Sequence, residues 1–301
     1  MGHGFPGGEG SVEGEVAPVK PPRLRAGDTV AFPAAGLVPH RFRRGLEALE
    51  RMGLRPRVMP NTTRILGHNA GTRDERAADL NDAFRDPQVR AVRSAIGGWT
   101  SNSLLARPPA LRQGEPAAGI FGDRPAGRLH PAPQWTQEEL DWASTAPEHN
   151  RPRVTEPSGG WRAVRPGQAR GRLVGGHLAT LHLLAGTQCW PSFDGAILFW
   201  EGCDAPLAEV ERYLWALGNL GVYDAIAGMA VGRPARVEGD VAALAAEVTA
   251  GYSFPIAGDL DLGHTSPMLT LPIGCAASLR VGEAGDADVE LALLEPAVAA
   301  G

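Results

Sequence analysis

The sequence predicts an α/β protein, with a parallel sheet layer in its first third and a second domain richer in strand. Three observations carry that prediction. Short apolar runs at 29–32 and 89–96 alternate with helical periods at 42–52 and 72–84, the signature of a parallel layer whose ligands gather at the carboxyl ends of its strands. A proline-rich stretch from about 106 to 168 then breaks the pattern. Beyond it, apolar runs of strand length recur at 196–200, 227–231, 254–257 and 276–281.

Each element can be justified in order. Residues 29–32 end in Pro33-Ala34-Ala35-Gly36, a strand followed by a tight loop. Phe42, Leu46, Leu49 and Met52 share a helical face, and Gly53 can cap that helix. Thr72 and Glu75 have the spacing of a capping box, opening a helix with Leu80 and Phe84 that Asp86-Pro87 stops. The next apolar run leads into Gly97-Gly98. Within the proline-rich stretch only 137–143 has helical character, so it reads as a connector. Regularity is expected to return at Arg172. A helix carrying Leu178, Leu181 and His182 follows Gly175-Gly176, and the buried strand after it ends at Glu201. Asp204 and Pro206 open a helix with Leu207, Val210, Leu214 and Leu217 on one face. The expected division is a flexible leader at 1–22, a nucleophile domain at 23–125, the connector at 126–168 and a C-terminal domain at 169–295.

Composition narrows the function. The chain has 301 residues, 43% apolar and 21% charged, as in ordinary globular proteins. A net charge of −5 gives no basic face for nucleic acid. Arginine supplies all the basic side chains but Lys20, which with the Ala, Gly and Pro content hints at a GC-rich bacterial genome. Cys189, Cys203 and Cys275 are odd in number and widely spaced, so they suggest neither a disulfide framework nor a zinc site. No apolar run reaches the roughly 18 residues of a membrane span, and the Gly- and Glu-rich start lacks a signal core. A cytoplasmic protein is expected.

The chemistry rests on three residues. Ser101 follows a strand and a glycine pair at the start of a helix, where a sharp turn exposes a hydroxyl and free amides can hold an oxyanion. The spacing is not the GxSxG elbow, and by itself Ser101 also reads as a helix cap. Glu201 closes an apolar strand, where a carboxylate is out of place unless paired or exposed. His264 stands in a polar loop after a strand, where a histidine is commonly just solvated. Together the three fit a nucleophile, a base and its orienter.

The chain resembles the LD-carboxypeptidase family, which includes the microcin C self-immunity peptidases. The matching stretches are Arg25 to Ala31, Ala70 to Leu80, Gly97-Gly98 with Ser101-Asn102 and Leu104-Leu105, Gly171 to Gly176, Asp194 to Phe199 with Glu201, and Gly263-His264-Thr265 with Leu271 to Gly274. They occur in family order and cover most of 23–282. The resemblance implies a flavodoxin-like N-terminal domain, a β-rich C-terminal domain and a cytoplasmic homodimer that needs neither metal nor cofactor. It assigns Ser101 as nucleophile, His264 as base and Glu201 as its orienter, with the backbone amides of Gly98 and Asn102 as oxyanion donors. It implies a small peptide or acyl-amide substrate. The Ser-Asn and Leu-Leu pairs stand closer to the immunity branch, which cleaves an amide between an amino acid and a nucleotide-like group.

One departure matters. After Leu104-Leu105 the family continues through further strands, whereas here only Ala106 to Ala118 precede the return of family pattern near Gly119. The N-terminal domain is therefore read as truncated, with an edge and apolar surface left to be covered. Three functions stay open on these residues: amide hydrolysis, acyl transfer in a natural-product pathway, and a non-catalytic binding homologue. Other features have plainer readings. Trp135, Trp142 and Trp161 read as core cover or as surfaces on which a substrate stacks, Arg73 and Arg76 as helix surface or as a site for a substrate carboxylate, and Gly175-Gly176 as a packing turn. His177 and His182, five apart, make no shared metal face.

Overall fold

The computed structural model describes residues 20–34, 39–95, 101–104, 125–141, 144, 146–283 and 288–299, with backbone alone at 39–41 and 101–102. Two sheets organise it. In the smaller, strand β1 (Thr29–Phe32) lies between β2 (Arg55–Val58) and β3 (Val89–Val92), all parallel. Helix α1 (Pro39–Arg51) packs Leu49 into a core with Val30, Phe32, Leu54 and Ala91. Gly53, at φ +81°, turns the chain out of that helix. Met52, expected on the buried face, is instead 62% exposed, because the helix ends at Arg51 and the turn carries it off the apolar stripe.

Helix α2 (Arg73–Arg85) has the predicted capping box: the Glu75 amide donates to Thr72 Oγ1, and the Thr72 amide to Glu75 Oε2. Its buried residues are Ala77, Asp79 and Ala83, with Leu80 and Phe84 half-buried. Asp79 is tolerated inside because Asn61 donates to it twice, from its amide at 3.0 Å and from Nδ2 at 2.8 Å. The shortened stretch at 106–118 lies outside the described residues.

The larger sheet has eight strands in the order β4-β13-β12-β8-β9-β10-β11-β7. They are β4 (Gly127–Arg128), β7 (Arg162–Arg165), β8 (Gly167–His177), β9 (Ile197–Glu201), β10 (Gly228–Gly232), β11 (Ile256–Leu260), β12 (Ala276–Val281) and β13 (Val289–Leu293). A separate ribbon pairs β5 (Gln134–Trp135) with β6 (Glu156–Pro157). Strands β8 to β11 are parallel, while the flanking pairs are antiparallel. Alternate residues of β9 face opposite cores. Leu198 and Trp200 pack with helices α3 (Leu178–His182), α4 (Leu207–Asn219), α5 (Val222–Ala225) and α6 (Val241–Val248), whereas Ile197 packs with β12 and β13. Strand β8 passes so close to β9 at Gly175 that a Cβ there would lie 1.6 Å from the Phe199 carbonyl oxygen. Only glycine fits.

Three expectations are corrected here. Residues 137–141 are not helical: Thr136 pairs with Ser266 instead, and the Arg236 amide donates to Gln137 Oε1 at 2.8 Å. Regular structure does not wait for Arg172: the connector holds β4, the β5–β6 ribbon and β7, and its strands form both edges of the large sheet. The last residues of the expected leader are paired, since Ala299 donates to the Pro21 carbonyl and Lys20 meets Glu295 at 2.8 Å. Among the described residues, no helix is long and apolar enough to cross a membrane.

Candidate active site

Strand register builds the site. Strands β8 and β9 run in parallel with His177 opposite Glu201, so both side chains arrive at the carboxyl end of the sheet. Strand β11 ends at Leu260, and the loop after it carries His264 back across β10 to the same place. There His264 Nδ1 meets Glu201 Oε2 at 3.0 Å. The Glu201 side chain is 8% exposed and the imidazole 49% exposed, so a buried carboxylate holds a ring that solvent can reach.

Two glycines make room for this pair. A Cβ on Gly232, at the end of β10, would lie 2.8 Å from Glu201 Cβ. On Gly263, at φ +86°, it would lie 2.3 Å from Glu201 Oε2.

The His264 loop is clamped from the connector. Buried Asp261 accepts from Trp161 Nε1 at 3.0 Å and from the Ala132 amide at 2.9 Å, with Arg233 3.9 Å away. Thr136 and Ser266 exchange backbone hydrogen bonds of 2.8 and 2.9 Å. Arg233 in turn sits over the Trp135 ring, 4.6 Å from its centroid. A cleft of about 660 Å³ opens beside this loop, lined among others by Arg44 of α1, Arg151, Arg153, Thr136, Ser266 and Pro267.

Two residues join the pair that the sequence reading did not place there. Cys203 Sγ lies 3.6 Å from His177 Nε2, and the His177 and His264 rings meet edge to face at 5.7 Å. The Cys203 and Glu201 side chains, as hydrogen-bond partners, raise the His264 imidazole above its ordinary value against the opposing effect of burial. Burial works to raise the Cys203 thiol, but contacts with His177 and His264 outweigh it and bring the thiol below its ordinary value. The Cys203 contact likewise raises His177. One signal was available: Cys203 stands two residues past Glu201, the spacing that returns an extended chain to the same side. His182, by contrast, is engaged with the Tyr213 carbonyl at 2.8 Å, so it makes no pair with His177.

Ser101 begins a single 3-10 turn, Ser101–Leu104. Arg76 of α2, read as a surface residue, ties this turn down by donating to Ser103 Oγ at 3.0 Å. The side chains of Ser101 and Asn102, and all of Gly98, lie outside the described residues. The structure therefore brings Glu201 and His264 together and locates the backbone of the turn that carries Ser101.

Comparison with known proteins assigns the architecture. The family model described as LD-carboxypeptidase N-terminal domain matches residues 29–113, and that described as LD-carboxypeptidase C-terminal domain matches 170–279. A putative carboxypeptidase of Streptomyces coelicolor is 33% identical, over 87% of this chain and 93% of its own length. The microcin C7 self-immunity protein MccF of Escherichia coli is 26% identical, over 83% of this chain and 90% of its own. The fold matches that of MccF in complex with glutamyl sulfamoyl guanosine at a TM-score of 0.80 and 22% identity, over 94% of this chain and 100% of that one. The chain belongs to the LD-carboxypeptidase family.

Proposed function

We propose that the protein is a serine hydrolase that cleaves an amide bond in a small peptide or peptide-like substrate, with Ser101, His264 and Glu201 as its triad. The observation that carries this reading is the 3.0 Å contact between His264 and a buried Glu201 at the carboxyl ends of parallel strands. Ser101 Oγ attacks the amide carbonyl as its proton passes to His264 Nε2, the nitrogen not engaged by Glu201. The carboxylate fixes the ring orientation and stabilises the imidazolium that forms. The backbone amides of Gly98 and Asn102 receive the oxyanion. His264 then returns the proton to the leaving amine, and water releases the acyl group by the same steps in reverse.

The cleft supports a substrate that carries an anionic group. Arg44 and Arg153 line this cleft beside the loop that carries His264, and arginine suits a carboxylate or a phosphate-like oxygen. A small peptide with a free carboxylate satisfies this, as does a ligand like the glutamyl sulfamoyl guanosine of the MccF complex. We place the enzyme in the cytoplasm as a homodimer.

The test is intact-protein mass after incubation with a fluorophosphonate, for the wild type and for Ser101→Ala and His264→Ala. One adduct per chain on the wild type, lost in both variants, is the expected result. A folded wild-type protein that a reactive probe leaves unlabelled refutes the hydrolase reading.

A further inference from the structure

The cluster behind the catalytic histidine holds more ligand chemistry than a serine triad uses. A ring nitrogen of His264, a carboxylate oxygen of Glu201 and Cys203 Sγ all lie within 4.8 Å of one another. His177 Nε2 adds a fourth donor, 3.6 Å from Sγ. Two ligands of tetrahedral zinc, with Zn–S near 2.3 Å and Zn–N near 2.0–2.1 Å, stand about 3.6 Å apart. The Cys203–His177 pair already has that separation. One thiolate, two imidazoles and a carboxylate are donors zinc accepts and magnesium or calcium does not favour.

The supports of these donors are fixed. His177 and Glu201 are register partners on adjacent strands. Cys203 sits in a segment pinned by Ala235, whose amide donates to the Gly202 carbonyl at 3.2 Å and whose carbonyl accepts from the Asp204 amide at 3.1 Å. Asp204 is then gripped by Arg236 through contacts of 2.5 and 2.7 Å. His177 Nδ1 accepts from the Thr180 amide at 3.3 Å and lies 3.0 Å from Thr180 Oγ1, contacts that fix the ring with Nε2 facing Cys203; ligation at Nε2 requires the ring proton to move to Nδ1, where Thr180 Oγ1 is the acceptor at hand. The half-exposed His264 ring provides the side open to an entering ion.

We propose that Glu201, Cys203, His264 and His177 form a Zn²⁺ site whose occupation switches the enzyme off. Binding forms a zinc–thiolate bond at Cys203 with release of the thiol proton, without change of oxidation state. The same event draws His264 and Glu201 into metal ligation, so the imidazole no longer serves Ser101. The metal site stands on the geometry alone; the switch rests on the hydrolase reading.

The probe is Co²⁺, added to reduced, chelator-stripped full-length protein, because a cobalt–thiolate bond gives a near-ultraviolet charge-transfer band and a tetrahedral site gives strong visible bands. One equivalent is expected to produce both, and Zn²⁺ to bleach them. Cys203→Ser should abolish the charge-transfer band while the circular dichroism melt shows a folded chain. His177→Ala should weaken binding by about tenfold or more. Cys189→Ser, at an exposed thiol away from the cluster, should leave the spectrum intact. A folded wild type with no thiolate band, or a band that survives Cys203→Ser, overturns the site. Zn²⁺ should also block fluorophosphonate labelling of the wild type; a filled site that still labels overturns the switch. Absence of labelling in metal-free protein overturns the hydrolase reading and the switch with it, while the Co²⁺ spectrum decides the site independently.

Discussion

Gly263 shows how little space surrounds the Glu201–His264 pair. Its φ of +86° and the 2.3 Å approach of a Cβ to Glu201 Oε2 penalise any side chain twice, in the backbone and in the contact. We predict that Gly263→Ala costs about 1–3 kcal/mol in a denaturant melt and removes fluorophosphonate labelling even where the chain remains folded. Unchanged labelling would mean that the pair can be displaced without consequence. At this scale the sequence was partly legible. Glu201 drew notice because a carboxylate ends an apolar run, and His264 because of the family motif around it. Cys203 was legible only through its spacing from Glu201, and His177 was not, since its arrival depends on the pairing of β8 with β9, which no local pattern encodes.

Helix α6 illustrates the element scale. Asp240 caps it by accepting from the Ala243 amide at 2.9 Å, and is gripped by Arg162 of the edge strand β7 at 2.7 and 2.5 Å. The Arg162 contact, opposed by burial and assisted by the Ala243 and Ala242 amides, lowers the Asp240 carboxyl from 3.8 to about 2. A depressed carboxylate stabilises the fold above its unfolded value, and that share disappears as pH falls from about 4 through 2. Asp240→Asn keeps the cap's acceptor and removes the charge, so it should lower stability at neutral pH by at most about 1 kcal/mol, the share of a solvent-screened ion pair. The melts of variant and wild type should converge near pH 2, and a gap that stays constant down to that pH would contradict this. Helices with explicit start and stop signals were legible: Thr72, Glu75 and Asp86-Pro87 bounded α2 correctly. Strand β2 was not, because Arg55-Pro56-Arg57-Val58 is mostly exposed at a sheet edge and shows no apolar run.

Over the whole molecule, the proline-rich stretch reads as a connector in sequence and acts as a brace in space. It supplies both edge strands of the large sheet and the groups that hold the His264 loop, because backbone pairing and single buried side chains need no periodic pattern. Trp161, 1% exposed, spans 100 residues of sequence to reach Asp261. Trp161→Phe keeps an aromatic ring and deletes the indole donor, leaving a buried carboxylate short of one partner. We predict a loss of about 1–3 kcal/mol, read as a lower denaturant midpoint, together with slower labelling of Ser101. A variant as stable as the wild type would show that Asp261 does not depend on this bond.

The Asp261 anchor also bears on the order of events during folding. Its partners stand 129 and 100 residues upstream, and Glu201 meets His264 across 63. Closing such long loops precedes any reward from the contacts they bring, so pairs of this kind form late. Helices and local turns, whose contacts close short loops, are expected to precede the Glu201–His264 contact. We predict that a nascent chain joins Glu201 to His264 only after its last parallel strand has emerged and docked, so that a hydrolase built on this pair would gain its activity late.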